Sequence, residues 1–244
     1  MNQRILVTGA RRGIGAALAV GLASPGRTLL LHHLGAEAEA EGVARQCREL
    51  GAEAETVEAD LADGAAVQAL AASAGDVDIL VNNAARPSNV DIGVLTLPEW
   101  QETFAVNVTA PMLLAQGLGA GMAARGWGRI VNVTSVTVRL GGPSGPSYVS
   151  SKAALIGLTR SLATVWGPSG VTVNALSPGA IRTQGEIELA GGRDETDPAI
   201  LAGQAVPRRL VPDDLVETVR FLVSPGASAM TGQVLEVGGG LVYR

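Results

Sequence analysis

Two hydrophobic rhythms alternate along almost the whole chain. Short strand-like runs, most of them apolar on consecutive residues, occur at Arg4–Thr8, Thr28–His33, Glu55–Glu58, Val77–Val81, Arg129–Thr134, Val171–Ala175 and Gln233–Val237. Between them lie longer stretches with helical patterning, at Gly13–Ala23, Ala36–Leu50, Asp63–Ala74, Pro98–Ala124, Ser147–Trp166 and Pro212–Val223. The first pattern predicts strands buried on both faces, and the second predicts amphipathic helices. Strand and helix in turn predict a doubly wound α/β fold: a seven-stranded parallel sheet with helices on both faces. No internal repeat and no linker-like stretch interrupts the alternation, so residues 1–244 read as a single domain.

Composition narrows the partners. The 244 residues are 47% hydrophobic but only 3% aromatic, so the core is expected to be mostly Ala, Val, Leu and Ile. A net charge of −5 gives no basic footprint for nucleic acid or an anionic membrane and points to small-molecule partners. No run approaches ~18 uninterrupted apolar residues, so no membrane span is expected. The chain enters its first strand at Arg4, which leaves no room for a signal peptide. Cys47 is the only cysteine and cannot form an internal disulfide. It is expected to be half-buried near Val43 and Leu50, in a cytoplasmic protein without a metal site.

Two stretches carry chemistry. The first strand runs into Thr8-Gly-Ala-Arg-Arg-Gly-Ile-Gly15, with glycines at 9, 13 and 15. Glycine permits a sharp turn and lets a pyrophosphate approach the N-terminus of the next helix, where free N–H groups favour anions. The second stretch runs from Ser135 to Lys152. It leaves a buried strand, crosses a Gly/Pro/Ser loop and enters a helix carrying Tyr148 and Lys152. Positions i and i+4 share a helical face, so phenol and ammonium can point into one space. A nearby cation is expected to lower the phenol's pKa toward the range useful for proton transfer. Ser135, at the strand end, adds a hydroxyl able to hold a carbonyl oxygen.

The chain resembles the short-chain dehydrogenase/reductase family essentially from end to end. The residues carrying the resemblance are Thr8-Gly-x-x-x-Gly-Ile-Gly15, Asp60-Leu61, Asn82-Asn-Ala-Ala85, Asn107, Ser135, Tyr148-x-x-x-Lys152 and Pro178-Gly-x-Ile-x-Thr183. It implies a Rossmann-type oxidoreductase moving hydride between a nicotinamide and a carbonyl or secondary alcohol carbon. Tyr148, Lys152, Ser135 and Asn107 would be its catalytic residues. Cofactor contacts would come from Gly9, Arg11, Arg12, Gly13, Ile14, Gly15, Asp60, Leu61, Asn83, Ala84, Ala85, Tyr148 and Lys152. His33 and Leu34 would line the ribose pocket, and Pro178, Gly179, Ile181 and Thr183 would contact the nicotinamide half. Ala85 departs from the glycine that usually ends its motif. Asp60 would meet the adenine amine, while Asp63 suits a helix cap. Pro111 has no N–H, so it cannot bond the Asn107 carbonyl, which the family uses to hold a relay water.

Leu34, just past the second strand, stands where the family would place an acidic residue that selects NAD(H) by repelling a 2′-phosphate. Leu34 with Arg11 and Arg12 nearby favours NADP(H); Glu37 keeps NAD(H) as the alternative. His32 and His33 either line this pocket or pack. Residues 184–210 are polar and Gly/Pro-punctuated and read as a substrate lid, with Gly191-Gly192 as a hinge. The overall character is similar to 3-oxoacyl-[acyl-carrier-protein] reductases, which implies an acyl-carrier-bound substrate and a homotetramer or homodimer. An acidic carrier would need a basic patch, for which Arg125, Arg129, Arg208 and Arg209 are candidates. The alternatives are a small ketone, polyol or secondary-metabolite intermediate as substrate, and a dinucleotide sensor without catalysis.

Overall fold

The computed structural model of the chain describes residues 2–189 and 198–243. Seven strands form one sheet: β1 (Gln3–Val7), β2 (Arg27–His33), β3 (Glu53–Glu58), β4 (Ile79–Asn82), β5 (Gly128–Val133), β6 (Val171–Pro178) and β7 (Val234–Val237). Their spatial order is β3-β2-β1-β4-β5-β6-β7, and every neighbouring pair is parallel. The winding direction reverses between β1 and β4. That switch point opens a crevice at the carboxyl ends of the strands, where ligands of open α/β sheets bind.

Side-chain alternation along each strand feeds two cores, one per face. Ile5 and Val7 of β1 join Leu29, Leu31, Ile79 and Val81 on one face, against Leu18 and Leu22 of α1 (Gly13–Leu22) and Val219 of α10 (Val216–Leu222). Leu6 of β1 joins Leu30, Leu80 and Ile130 on the other face, against α3 (Gly64–Ser73), α5 (Ala110–Ala124) and α7 (Pro146–Trp166). Cys47, on α2 (Glu37–Glu49), is fully buried in the first core rather than half-buried. Burial pushes its thiol up to about 11. Among the described residues no helix is long and apolar enough to cross a membrane, and no three His, Cys, Asp or Glu gather to hold a metal ion.

The pattern over Pro98–Ala124 resolves into α4 (Leu97–Phe104), a π-helical turn at Ala105–Thr109, and α5. Ala110 N–H donates to the Ala105 carbonyl across the widened turn. Pro111 supplies no donor at the next position, which is one of the recognised causes of a broken i→i−4 ladder. Three short helices arise outside the helical patterns: α6 (Thr137–Leu140), α8 (Gln184–Leu189) and α9 (Pro198–Gly203). The segment expected as a polar lid is therefore partly helical. The Gly191-Gly192 hinge lies outside the described residues.

Candidate active site

The glycine turn after β1 is built so that no side chain fills it. Gly9 and Gly13 have φ of +64° and +59°, the left-handed region that favours glycine. A Cβ on Gly15 would lie 2.2 Å from the Gly9 carbonyl oxygen. No side chain caps the first turn of α1, so its N–H groups face the turn and can receive an anion. Neighbouring strands hold the turn rigidly. Thr8 Oγ1 accepts from the Asn83 and Ala84 N–H groups, each at 3.0 Å. Asn83 Nδ2 donates to the Thr8 and Gly9 carbonyls at 2.9 and 3.2 Å.

A cleft of 620 Å³ opens over this turn. It brings together Gly9, Arg11, Arg12, Gly13, Ile14, Gly15, His33, Leu34, Asp60, Leu61, Asn83, Ala84, Ala85 and Thr183, as well as His32, Arg86 and Gly185. Pro178, Gly179 and Ile181 do not line it. Gly179 instead packs on Gly238, where an added Cβ would lie 2.5 Å from the Gly238 Cα, and Ile181 bridges to Leu210. A dinucleotide fits this donor set: an open glycine turn for the pyrophosphate, two arginines on the rim and no acid at the end of β2. Asp60 Oδ1 accepts from Ala62 N–H at 2.8 Å, while Asp63 caps α3 through Ala65 N–H, as its position predicts. Glu37 is tied down by Thr56 Oγ1 at 2.7 Å and lies 2.6 Å from His33 Nε2. Arg11 pairs with Glu39 at 3.3 Å and Arg12 with Glu188 of α8 at 2.8 Å. All four of these side chains are at least one-third exposed, so such pairs hold weakly and can be exchanged for a ligand phosphate.

Beyond the cleft, Ser135 follows β5, and Tyr148 and Lys152 lie one turn apart on α7. Thr137 donates to Ser135 Oγ from both its hydroxyl (2.9 Å) and its N–H (3.2 Å). With its acceptor capacity so used, the Ser135 hydroxyl is left to donate toward the Tyr148 phenol, whose pKa it lowers. Lys152 is the only lysine of the chain and is 2% exposed; its Nζ donates to the Val133 carbonyl at 2.8 Å. The same Nζ stands 5.7 Å from the centre of the Tyr148 ring.

The expected lowering of the phenol's pKa is not what this arrangement produces. Burial raises Tyr148, and the Ser135 hydrogen bond offsets the rise only in part. The same burial pushes Lys152 down to about 8. The ammonium spends its short contact on a backbone carbonyl, so desolvation outweighs its attraction for a phenolate.

Asn107 is fully buried in the π-helical turn. Its Oδ1 accepts from Arg86 N–H at 2.8 Å, and its Nδ2 donates to the Arg86 carbonyl at 3.1 Å and to Ser151 Oγ at 2.9 Å. Ser151 in turn donates to the Tyr148 carbonyl at 2.7 Å. Asn107 therefore stitches the loop after β4 to the helix bearing the phenol and the amine. Thr137 and Ser151 went unread in the sequence, where a threonine two residues past Ser135 and a serine beside Lys152 carry no distinguishing spacing.

Of the four arginines proposed as a carrier-docking patch, Arg129 lies far from Ser135. Arg129 opens β5 while Ser135 follows its end, a separation of about 20 Å at 3.3 Å per residue. Arg129 is buried over Trp127, with its carbon 4.6 Å from the ring centre, and Arg125 pairs with Asp76 at 2.9 Å. Arg208 is held bidentately by Asp214, and Arg209 by Glu186 of α8. Each has an internal partner, but the Arg125 and Arg208 side chains are about as exposed as those of Arg11 and Arg12, and their pairs hold as weakly.

Fold and site together define the class: a Rossmann-type α/β oxidoreductase. Residues 9–242 match the family model described as enoyl-(acyl carrier protein) reductase. The "Probable galactose dehydrogenase GalD" of Rhizobium meliloti (strain 1021) is 36% identical over 244 residues, covering 98% of this chain and 95% of its own. The 3-oxoacyl-[acyl-carrier-protein] reductase of Synechocystis sp. is 34% identical over 245 residues, with 98% and 97% covered. The solved 3-oxoacyl (acyl-carrier-protein) reductase of Agrobacterium tumefaciens, with NADP bound, superposes with a TM-score of 0.91 at 30% identity, over 98% and 93% of the two chains. The chain belongs to the short-chain dehydrogenase/reductase family.

Because every polar atom of the Asn107 amide group is bonded, its loss strands buried partners. Asn107→Ala is expected to destabilise the fold by about 1–3 kcal/mol, read from the urea midpoint. Faster amide exchange at Arg86 should accompany it. An unchanged midpoint would show that the stitch does not hold the loop.

Proposed function

We propose that the chain is an NADP(H)-dependent oxidoreductase that interconverts a small ketone and a secondary alcohol. What supports the reading is that Lys152 Nζ stands 5.7 Å from the Tyr148 ring and Ser135 acts on the same phenol, in a chain whose glycine turn opens into a cleft. NADPH, when bound, supplies the hydride. Gly9, Gly13 and Gly15 admit the pyrophosphate, and Arg11 and Arg12 take the 2′-phosphate. Glu37, tied to Thr56 and set against His33, is engaged away from the ribose. The NADP-bound relative supports the same preference.

The chain's own part is proton supply and orientation. Burial keeps the Tyr148 phenol protonated through neutral pH, which suits it to donate to the carbonyl oxygen during reduction. Ser135, with its hydrogen directed by Thr137, aligns that oxygen. Lys152, still mostly an ammonium at pH 7, binds the cofactor ribose and replenishes the phenol's proton, with the Asn107 carbonyl completing the relay. Pro111 supports this last role because it leaves that carbonyl without its i+4 donor.

For substrate, the placement of the cations supports a free molecule over a carrier-bound one. An acidic carrier protein would be steered by a basic patch, and of the four candidate arginines Arg129 is buried over Trp127 and the Arg209 side chain is only 9% exposed against Glu186. A free small ketone or polyol is the better fit, and a relative named for galactose, a free sugar, supports a substrate without a carrier. The acyl-carrier reading stands second, favoured by the relatives named 3-oxoacyl-[acyl-carrier-protein] reductase. Turnover of a panel of free ketones and sugars against acyl-thioesters, with NADPH and NADH in parallel, separates them. Faster reduction of a carrier-bound thioester than of any free ketone would reverse the order, and a preference for NADH would overturn the cofactor assignment.

Tyr148→Phe should lower turnover by about 10²–10⁴-fold while NADPH affinity stays within a few-fold; substantial residual activity would refute the phenol's role. The pH profile of reduction tests the amine. Lys152 carries its charge below about 8, so kcat/KM should be level near neutrality and fall as pH rises through that value. A rate that climbs from pH 8 to 9 would contradict it.

A further inference from the structure

His32 sits at the end of β2, 3% exposed, between the glycine turn and the loop that follows β3. Its Nδ1 accepts the Gly9 N–H at 3.1 Å, and its Nε2 lies 2.9 Å from the Ala59 carbonyl. A backbone N–H can only donate and a carbonyl can only accept, so the ring must be neutral with its proton on Nε2. Gly9 is thereby held on both sides: His32 accepts from its N–H, and Asn83 Nδ2 donates to its carbonyl oxygen. The Ala10 N–H adds a bond to the His32 carbonyl at 2.9 Å. One imidazole spans the cleft floor from the turn offered to the pyrophosphate to Ala59, next to Asp60 on the adenine side.

We infer that His32 is a positioning residue that fixes the glycine turn for dinucleotide binding and releases it when the ring takes up a second proton. The inference rests on the reading of the cleft as a dinucleotide site. A protonated imidazole has two donors and no acceptor, so it cannot keep the Gly9 bond. The turn would lose its hold on the N–H side, and affinity would fall without any change at Ser135, Tyr148 or Lys152.

The charged and titratable groups around this ring are few. Arg11 and Arg12 line the same cleft from the turn after β1, and Asp60 lines it from the loop after β3. His33 follows along β2, and Glu37 of α2 reaches His33 rather than His32. Burial is the main influence and holds the ring below its ordinary value of 6.5; the Ala59 bond opposes this, and His33 adds slightly to it. The sign follows. A group whose folded pKa is depressed is in its bonding, neutral form above the unfolded value, and that form is lost as pH falls through the folded pKa. Dinucleotide affinity should therefore hold steady from pH 8 to about 6.5 and weaken below it.

The test is NADPH affinity, measured by fluorescence titration from pH 5 to 8, for the full chain and for His32→Phe and His32→Asn. Phenylalanine fills the space without an acceptor, so its Kd at pH 7.5 should rise about tenfold. The loss should appear in the KM for NADPH rather than in kcat at saturation. Asparagine offers an amide oxygen to Gly9 and should recover most of that affinity. The ligand's own phosphate titrates equally in all three proteins, so the ratio of variant to native Kd isolates the imidazole. That ratio should shrink as pH falls toward 5 for both variants, because only the native protein loses its bond there. A phenylalanine variant with lowered thermal stability but unchanged Kd would show a structural role alone and overturn the inference, as would a ratio independent of pH. Failure of the native chain to bind NADPH at any pH would instead sink the dinucleotide reading, and this inference with it.

Discussion

A single ammonium, sealed beneath α7 and bonded to the carbonyl of Val133, is the constraint on which the site depends. Lowering its pKa from 10.5 to about 8 corresponds to a cost on the order of 3 kcal/mol for keeping the charge there at neutral pH. The surroundings do not cancel that cost with a carboxylate. They leave the charge with one backbone partner and the Tyr148 ring nearby. A core residue chosen for stability would be a leucine or methionine of similar volume, so a buried lone cation marks a position held for chemistry.

The rest of the molecule reads as support for that position. Parallel strands deliver every functional loop to one edge of the sheet, and the reversal between β1 and β4 opens the crevice there. The Asn107 amide ties the loop after β4 to α7, and Thr137 directs the serine hydroxyl, so the phenol's neighbours are fixed by bonds rather than by packing alone. The glycine turn is gripped from β2 and β4 in the same way. Positioning of this kind is what a short-chain reductase contributes when the hydride comes from its cofactor.

Much of this was legible in the sequence because it depends on local order. Consecutive apolar residues in β1, β5 and β6 announced a buried parallel sheet, the glycines at 9, 13 and 15 announced the turn, and the four-residue spacing of Tyr148 and Lys152 placed them on one face. The π turn at Ala105–Thr109 went unread inside the single helical pattern of Pro98–Ala124, although Pro111 marked a missing donor just beyond it. What was misread depends on quantities that spacing does not encode. The direction of the phenol's shift is decided by how completely burial strips water from both groups, and the amine's choice of Val133 by geometry across 19 residues. The arginine patch failed for a reason that was readable: Arg129 opens its strand and Ser135 follows its end, so they could never share an entrance. His32 gave only an apolar-strand context, and its bond to Gly9 exists because β1 and β2 are neighbours in space.

The central claim is that burial, not a charge partner, sets the proton chemistry of this site, and the lone lysine makes it directly measurable. With ¹³C-labelled lysine the protein gives a single side-chain ε-carbon resonance, whose shift can be followed from pH 6 to 11 in the cofactor-free state. The account predicts a midpoint of about 8. A midpoint near the ordinary 10.5 would mean that the ammonium is solvated or paired, and the account would fail.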